Sequence, residues 1–196
     1  MATIGILAVQ GAFREHADVL RSLGSDCFEI RNARDLGRPM DGLVLPGGES
    51  TVQGKLITDL GMGDALRSMI RDGLPVFGTC AGMILLAERI DDGHVAHLAT
   101  MPIAVRRNAY GRQLGSFSAT GSFGPLDGVP LEFIRAPVIE SVGDGVHVLT
   151  EHGGHTVAAR YGNQLVTSFH PELTGDTRVH RYFLDMVSGR RTAAGN

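Results

Sequence analysis

The stretch LPVFGTCAGMILLAER constrains the fold more than any other part of this chain. It predicts a short buried strand, Leu74–Phe77, that runs directly into a helix, Ala81–Arg89, with Cys80 at the bend. Gly78 and Gly82 flank the cysteine at two residues on each side, because a Cβ at either position would clash at so tight a turn. A strand that passes straight into a helix is typical of a parallel α/β sheet.

The rest of the chain extends this pattern. Its first half alternates predicted strands and helices, whereas residues 103–169 hold short β-rich runs that predict an antiparallel or mixed extension of the sheet. We expect a last helix with Thr174 as N-cap and Gly189 at its end. The prediction is one α/β domain over residues 1–196, a three-layer open sheet with a mostly parallel core and a frayed tail at Thr192–Asn196. The first-half elements are strands Thr3–Val9, Asp26–Arg31 and Gly42–Leu45 and helices Gly11–Leu23, Glu49–Leu60 and Gly63–Arg71.

Charge and targeting signals exclude several classes of protein. The net charge of −3 provides no basic field for nucleic acid. The N-terminus lacks the basic start and cleavage site of a signal peptide, and its apolar run is far shorter than the roughly 20 residues that span a bilayer. The two cysteines are too few and too distant for a disulfide framework, which favours a cytoplasmic protein.

The bend at Cys80 has the features of a catalytic nucleophile. It exposes the sulfur, and the N-terminus of the following helix favours the thiolate. The N–H of Ala81 is then placed to bind a developing oxyanion. The alternative is an ordinary buried cysteine at a strand end, since free cysteine is among the most buried residue types. Cys27, in the middle of a strand without flanking glycines, is expected to be structural.

The segment Ser168-Phe-His-Pro-Glu-Leu supplies a candidate base near another strand end. His170 suits proton transfer at neutral pH, and Glu172, held close by the intervening proline, would fix its tautomer. Without the cysteine bend, such a segment would be read as a surface loop. The pairs His94/His97 and His152/His155 have no further ligand at metal-binding spacing, so we expect no metal. His16 and His180 lie on predicted helices, where we expect ordinary surface or semi-buried residues.

These motifs together resemble those of a known family. GTCAG before an apolar helix and SFHPEL near the C-terminus resemble class I (triad) glutamine amidotransferases. The stretches LPGGEST and RNAYGRQ, the opening IGILAVQGAFREH and the segment FIRAP are similar to the family of glutaminase subunits of pyridoxal 5′-phosphate synthase. The resemblance runs from Thr3 to about Val187, and it implies the flavodoxin-like fold of class I amidotransferases.

The resemblance also implies an activity and a site. Glutamine would be hydrolysed to glutamate and ammonia, and the ammonia would pass to a synthase subunit that makes the coenzyme, which is not a cofactor of this chain. Cys80, His170 and Glu172 would form the triad, with backbone N–H groups of Gly48 and Ala81 as oxyanion donors. The implied glutamine contacts are Gly48, Glu49, Ser50, Arg107, Ile134 and Arg135.

Elementary chemistry agrees with these contacts. An arginine suits the α-carboxylate of glutamine, and Glu49 could receive the α-ammonium. The alternatives are helix capping by Glu49 and its neighbours, and a solvated loop around Arg107 and Arg112. Gln10 and Gly11 follow a strand near the same site and could sense the partner, while a peptide flip at Gly47–Gly48 could make or remove an oxyanion donor.

Three other functions stay open from the sequence. The chain could be the glutaminase of another amidotransferase, such as imidazole glycerol phosphate synthase, although RNAYGRQ argues against this. It could be a cysteine peptidase or stress-response protein on a similar fold. It could also be a non-catalytic subunit that only binds a partner.

Overall fold

The computed structural model describes residues 1–91, 93, 95–110 and 115–189. Its first part alternates strands and helices as the sequence predicts, and a 3-10 helix at Ala33–Gly37 joins the second strand to the third. The strand Gly42–Leu45 and the helix Gly63–Arg71 begin and end at the predicted residues. The other boundaries in this half differ by at most two residues, except the end of the helix after Cys80, which lies three residues early. The elements are β1 (Thr3–Leu7), α1 (Phe13–Ser22), β2 (Asp26–Ile30), β3 (Gly42–Leu45), α2 (Ser50–Asp59), α3 (Gly63–Arg71), β4 (Val76–Thr79) and α4 (Ala81–Leu86).

The later part of the chain is dominated by strands and ends in a helix. A 3-10 helix, Pro171–Leu173, separates the last strand from this helix. The elements are β5 (Ala87–Ile90), β6 (Met101–Arg106), β7 (Ser116–Phe123), β8 (Leu126–Ile134), β9 (Val138–Val142), β10 (His147–His152), β11 (His155–Tyr161), β12 (Gln164–Thr167) and α5 (Arg178–Val187).

Within the described residues, ten strands form one mixed sheet in the order β2-β1-β3-β4-β12-β11-β9-β6-β5, and β10 pairs with β11. The first five strands of this order are parallel, and the pairs from β12 to β6 are antiparallel. The α/β fold with a mostly parallel core and a mixed extension is confirmed. Strand β12 comes late in the chain yet lies beside β4, with Thr167 opposite Thr79.

Helices cover both faces of the sheet. Alternate residues of a strand point to opposite faces, so Val76 joins the core under α2, α3 and α4, whereas Phe77 joins the core under α1 and α5. The sheet lies between these two apolar clusters and helices cover each of them, so the fold has three layers. None of the helices in the described part of the chain is long and apolar enough to span a bilayer.

Three predictions about elements were wrong. Helix α4 ends at Leu86 rather than Arg89, because Ala87–Ile90 leaves the helix to pair in parallel with β6. Strands β7 and β8 do not extend the main sheet but form a separate two-stranded hairpin. Thr174 is not the N-cap of the last helix; it ends the 3-10 helix, and Thr177 precedes α5. The predicted tail, Thr192–Asn196, lies outside the described residues.

Candidate active site

Cys80 occupies a strained turn between β4 and α4. Its backbone has φ 49° and ψ −101°, a conformation that side chains with a Cβ rarely adopt. Its N–H donates to Thr167 O at 2.7 Å, which fastens the turn to β12. A Cβ on Gly82 would lie 1.9 Å from Leu45 O, so only glycine permits α4 to begin this close to β3. The Cys80 sulfur lies 4.0 Å from Ile134 O.

His170 and Glu172 reach this turn because β12 lies next to β4. Both side chains are buried, and His170 Nδ1 lies 2.7 Å from Glu172 Oε1. The backbone N–H of His170 donates to Glu132 O at 2.8 Å, which anchors His170 to the β7–β8 hairpin. The structure therefore brings Cys80, His170 and Glu172 together from elements that are far apart in sequence.

The electrostatics of this group favour an ion pair. Burial alone would lower the pKa of His170, but its contacts with the Cys80 sulfur and with Glu172 raise it to about 10. Burial alone would raise the pKa of Glu172, but His16 and His170 lower it to about 2. At neutral pH, His170 is thus an imidazolium between an ionised carboxylate and the sulfur.

Two hydrogen bonds fix the backbone of Gly47, at the end of β3. Its N–H donates to Thr79 Oγ1 at 2.9 Å, and its carbonyl accepts from Ala12 N–H at 2.9 Å. Since the C=O and N–H of a trans peptide point in opposite directions, the Gly48 N–H faces away from the α1 side. The same loop is held by Gln10, whose Oε1 accepts from Glu49 N–H at 2.8 Å.

Glu49 and Arg107 lie together at the mouth of the cleft. The Glu49 carboxylate caps α2 by accepting from the N–H groups of Thr51 and Val52 at 3.1 and 2.7 Å. Partial burial would raise the pKa of Glu49, but these two N–H groups lower it. Arg107 Nη2 lies 3.7 Å from Glu49 Oε1, and Nη1 donates to Thr51 Oγ1 at 3.2 Å. Glu49 therefore does cap α2, as one of the alternatives from the sequence predicted, and it also lines the cleft.

These groups line a cleft of about 410 Å³. Backbone strain is concentrated there, since Cys80, Asn108 and Arg135 all have positive φ and all line it. Glu172 and Ala81 lie behind the lining, and Arg112 lies outside the described residues. The sequence-predicted residues that line the cleft are Gln10, Gly11, Gly48, Glu49, Ser50, Cys80, Arg107, Ile134, Arg135 and His170.

The prediction that His16 and His180 are surface or semi-buried residues was wrong. Both side chains are fully buried, and His16 Nε2 lies 3.4 Å from Glu172 Oε2. Their positions carried a usable signal: His16 shares a helical face with the apolar residues of α1, and His180 with those of α5. Thr79, which binds Gly47, was also missed, because a threonine beside a cysteine carries no pattern of its own.

The remaining thiol and histidines have other surroundings. Cys27 is half-buried, and burial raises the pKa of its thiol to about 11, so it stays protonated. His152 stacks on Phe117 and Phe133, whereas His94 lies outside the described residues. No group of three or more potential metal ligands occurs within the described ranges.

Comparison with known proteins finds similarity along nearly the whole chain. The model of the SNO glutamine amidotransferase family matches residues 6–189. The chain is 54% identical over 190 residues to the pyridoxal 5′-phosphate synthase subunit PdxT of Desulfitobacterium hafniense (strain Y51), covering 97% of this chain and 96% of the relative. It is 58% identical over 186 residues to the protein of the same name from Methanocorpusculum labreanum, covering 95% and 98%.

A solved structure agrees with the fold. A crystal structure described as a glutamine amidotransferase superposes with a TM-score of 0.89 at 43% identity, covering 94% of this chain and 98% of that one. The similarity in fold therefore extends over nearly the whole chain.

Proposed function

The chain belongs to the SNO glutamine amidotransferase family, and on this basis we propose that it hydrolyses L-glutamine as the glutaminase subunit of pyridoxal 5′-phosphate synthase. The observation that carries the proposal is the buried group of Cys80, His170 and Glu172 at one end of a cleft. Relatives named as subunits of that synthase match nearly the whole chain, which supports the choice of partner.

The first chemical step is attack of the Cys80 thiolate on the side-chain amide carbon of glutamine. A new C–S bond forms, and the carbonyl electrons move to oxygen. The N–H groups of Gly48 and Ala81 would hold this oxyanion; the first N–H groups of a helix such as α4 lack intrahelical partners and are available to a ligand. The imidazolium of His170 then protonates the departing nitrogen, and ammonia leaves.

The second step hydrolyses the γ-glutamyl thioester. Neutral His170 accepts a proton from water, which attacks the same carbon and releases glutamate and the Cys80 thiolate. Glu172 holds the Nδ1 side of the ring through both steps, so that Nε2 carries the transferred proton. No cofactor enters this sequence of steps.

Charges at the cleft mouth fit the amino-acid end of the substrate. Arg107 could bind the α-carboxylate and Glu49 the α-ammonium, with Ser50, Ile134 and Arg135 closing the cleft around them. In the free protein Arg107 and Glu49 face one another at 3.7 Å, so each charge is partly neutralised until substrate separates them.

We also propose that the synthase subunit controls this site through the loop at Gln10 and Gly11. The loop binds the strand end at Gly47 and Glu49 through the bonds from Ala12 N–H and to Gln10 Oε1. A partner that moves the loop would therefore move the Gly47–Gly48 peptide. Equal glutaminase rates with and without the synthase subunit would refute this coupling.

Both cysteines are free thiols, which suits a protein of the reducing cytoplasm. Cell fractionation would test this location.

The activity is tested with Cys80→Ala and the matched control Cys27→Ala. Glutamate release is measured at saturating glutamine, with and without the synthase subunit. We expect Cys80→Ala to abolish hydrolysis while it still binds the synthase, and Cys27→Ala to keep the parent rate. Retained hydrolysis in Cys80→Ala would contradict the assignment of Cys80 as the nucleophile.

A further inference from the structure

A second row of buried polar side chains lies behind the proposed triad. His16 on α1 and His180 on α5 are both 0% exposed, as is Thr79 at the end of β4. Helices α1 and α5 cover the same face of the sheet, and the two imidazoles meet between them over the ring of Phe77. Buried polar groups in such a place must satisfy one another.

The contacts form a continuous chain that ends at the triad. His180 Nε2 lies 2.9 Å from His16 Nδ1. His16 Nε2 lies 3.1 Å from Thr79 Oγ1 and 3.4 Å from Glu172 Oε2. Glu172 Oε1 contacts His170, and the His16 ring lies against the other carboxylate oxygen. His16 therefore contacts the triad on the side that faces away from the cleft.

The position of the protons follows from what each atom faces. If His16 carried its proton on Nδ1, its bare Nε2 would face the ionised Glu172 Oε2, and His180 would carry its own proton on Nδ1. His180 Nδ1 has no hydrogen-bond partner among the described residues, so that N–H would be buried and unpaired. In the opposite arrangement the His16 Nε2–H donates to Thr79 Oγ1 and places its hydrogen near Glu172 Oε2, which has no hydrogen-bond partner among the described residues. Neither ring then leaves a buried N–H without an acceptor.

We propose that His16 and His180 are positioning residues that hold Glu172, and through it His170, by a row of polar contacts of fixed direction. His180 Nε2–H donates to His16 Nδ1, and His16 Nε2–H donates to Thr79 Oγ1 while it faces Glu172 Oε2 at 3.4 Å as an electrostatic contact. The inference rests on the proposed function, because it concerns the residues that orient the base of that reaction.

The surroundings keep both rings neutral. Burial is the largest influence and lowers the pKa of His16, and burial with the neighbouring His16 lowers the pKa of His180 to about 3. A neutral ring donates at one nitrogen and accepts at the other, which is what a directed chain requires. The titratable groups that act on His16 from the elements around it are Glu15, His170, Glu172 and His180.

Thr79 connects these buried contacts to a second part of the site, the end of β3. Its Oγ1 can accept from both His16 Nε2–H and Gly47 N–H because a hydroxyl oxygen has two lone pairs. His16 thereby contacts the carboxylate that orients the base and the hydroxyl that holds the proposed oxyanion strand. The same ring contacts both parts of the site that would act on the substrate amide, the base on its nitrogen and the oxyanion donors on its oxygen.

The first test uses the unaltered protein labelled with ¹⁵N-histidine. Nuclear magnetic resonance distinguishes protonated from bare ring nitrogens. At pH 7 we expect His16 to carry a proton on Nε2 only, and His180 to carry one on Nε2 only. A proton on His16 Nδ1, or a charged His16, would overturn the proposal without touching the assignment of the nucleophile.

The second test compares His180→Phe with His180→Gln. Phenylalanine removes the donor to His16 Nδ1, whereas the glutamine amide can replace it. We expect His180→Phe to lower kcat about 10-fold with KM changed by less than about twofold, and His180→Gln to keep kcat within about threefold of the parent. A folded His180→Phe with the parent kcat contradicts the proposal. If both variants raised KM and lowered kcat together, His180 would have a purely structural role, and this outcome would also contradict the proposal.

Discussion

Replacing Gly47 with alanine tests how tightly the rate depends on the position of His170. An added Cβ would lie 2.3 Å from His170 Cε1 and 2.9 Å from Nδ1. Carbon atoms in contact stay about 3.5 Å apart, so the ring must retreat by about 1 Å. The 2.7 Å contact with Glu172 would then be stretched beyond normal hydrogen-bond length. A displacement of about 1 Å at a reacting group costs roughly 10²-fold, and we expect kcat to fall by that factor.

The assay is glutamate release at saturating glutamine with the synthase subunit present. The clash is with a side chain, so we expect the fold to survive with a loss of about 1–3 kcal/mol in the free energy of unfolding. Gly37→Ala is the matched control, because an added Cβ there meets no atom within 4 Å. A Gly47→Ala rate within about threefold of the Gly37→Ala rate would refute the reasoning.

Two further predictions concern stability. Cys80 has φ 49°, a conformation that is unstrained for glycine but strained for alanine. Urea denaturation should therefore give Cys80→Gly a free energy of unfolding about 1 kcal/mol higher than that of Cys80→Ala, the reverse of the order of these residues in a helix. His180 has a pKa of about 3 in the fold against 6.5 unfolded, so between these values the unfolded chain binds the extra proton and stability falls as pH falls. His180→Phe should remove about 1.4 kcal/mol per pH unit of that slope near pH 5, and an unchanged slope would show that His180 is not buried in its neutral form.

The sequence predicted the first half of the fold well because the signals there are local. Strand β3 and helix α3 begin and end at the predicted residues, since glycines and apolar runs mark those boundaries. Helix α4 was predicted too long because Ala87–Ile90 has helical character by itself. Its pairing with β6 is a long-range contact that no local pattern contains.

The same distinction applies to the site. Cys80 and His170 were predictable because the bend and the HPE segment are short motifs on the chain. The partners of His16 were not, because Thr79, Glu172 and His180 come from three distant segments and meet only when α1 and α5 pack on the same face. The role of the β7–β8 hairpin, which supplies Ile134 and anchors His170, was hidden for the same reason.

The place of β12 between β4 and β11 ties the reactive centre to the order of biosynthesis. A ribosome releases Cys80 long before it reaches His170 and Glu172, so a nascent chain carries the thiol before the side chains proposed to act with it. Until Gln164–Thr167 emerges, β4 has an open edge on that side and Cys80 lacks the bond to Thr167. A chain that ends before β12 would therefore lack the proposed base, its carboxylate partner and the hydrogen bond that fixes the turn at Cys80.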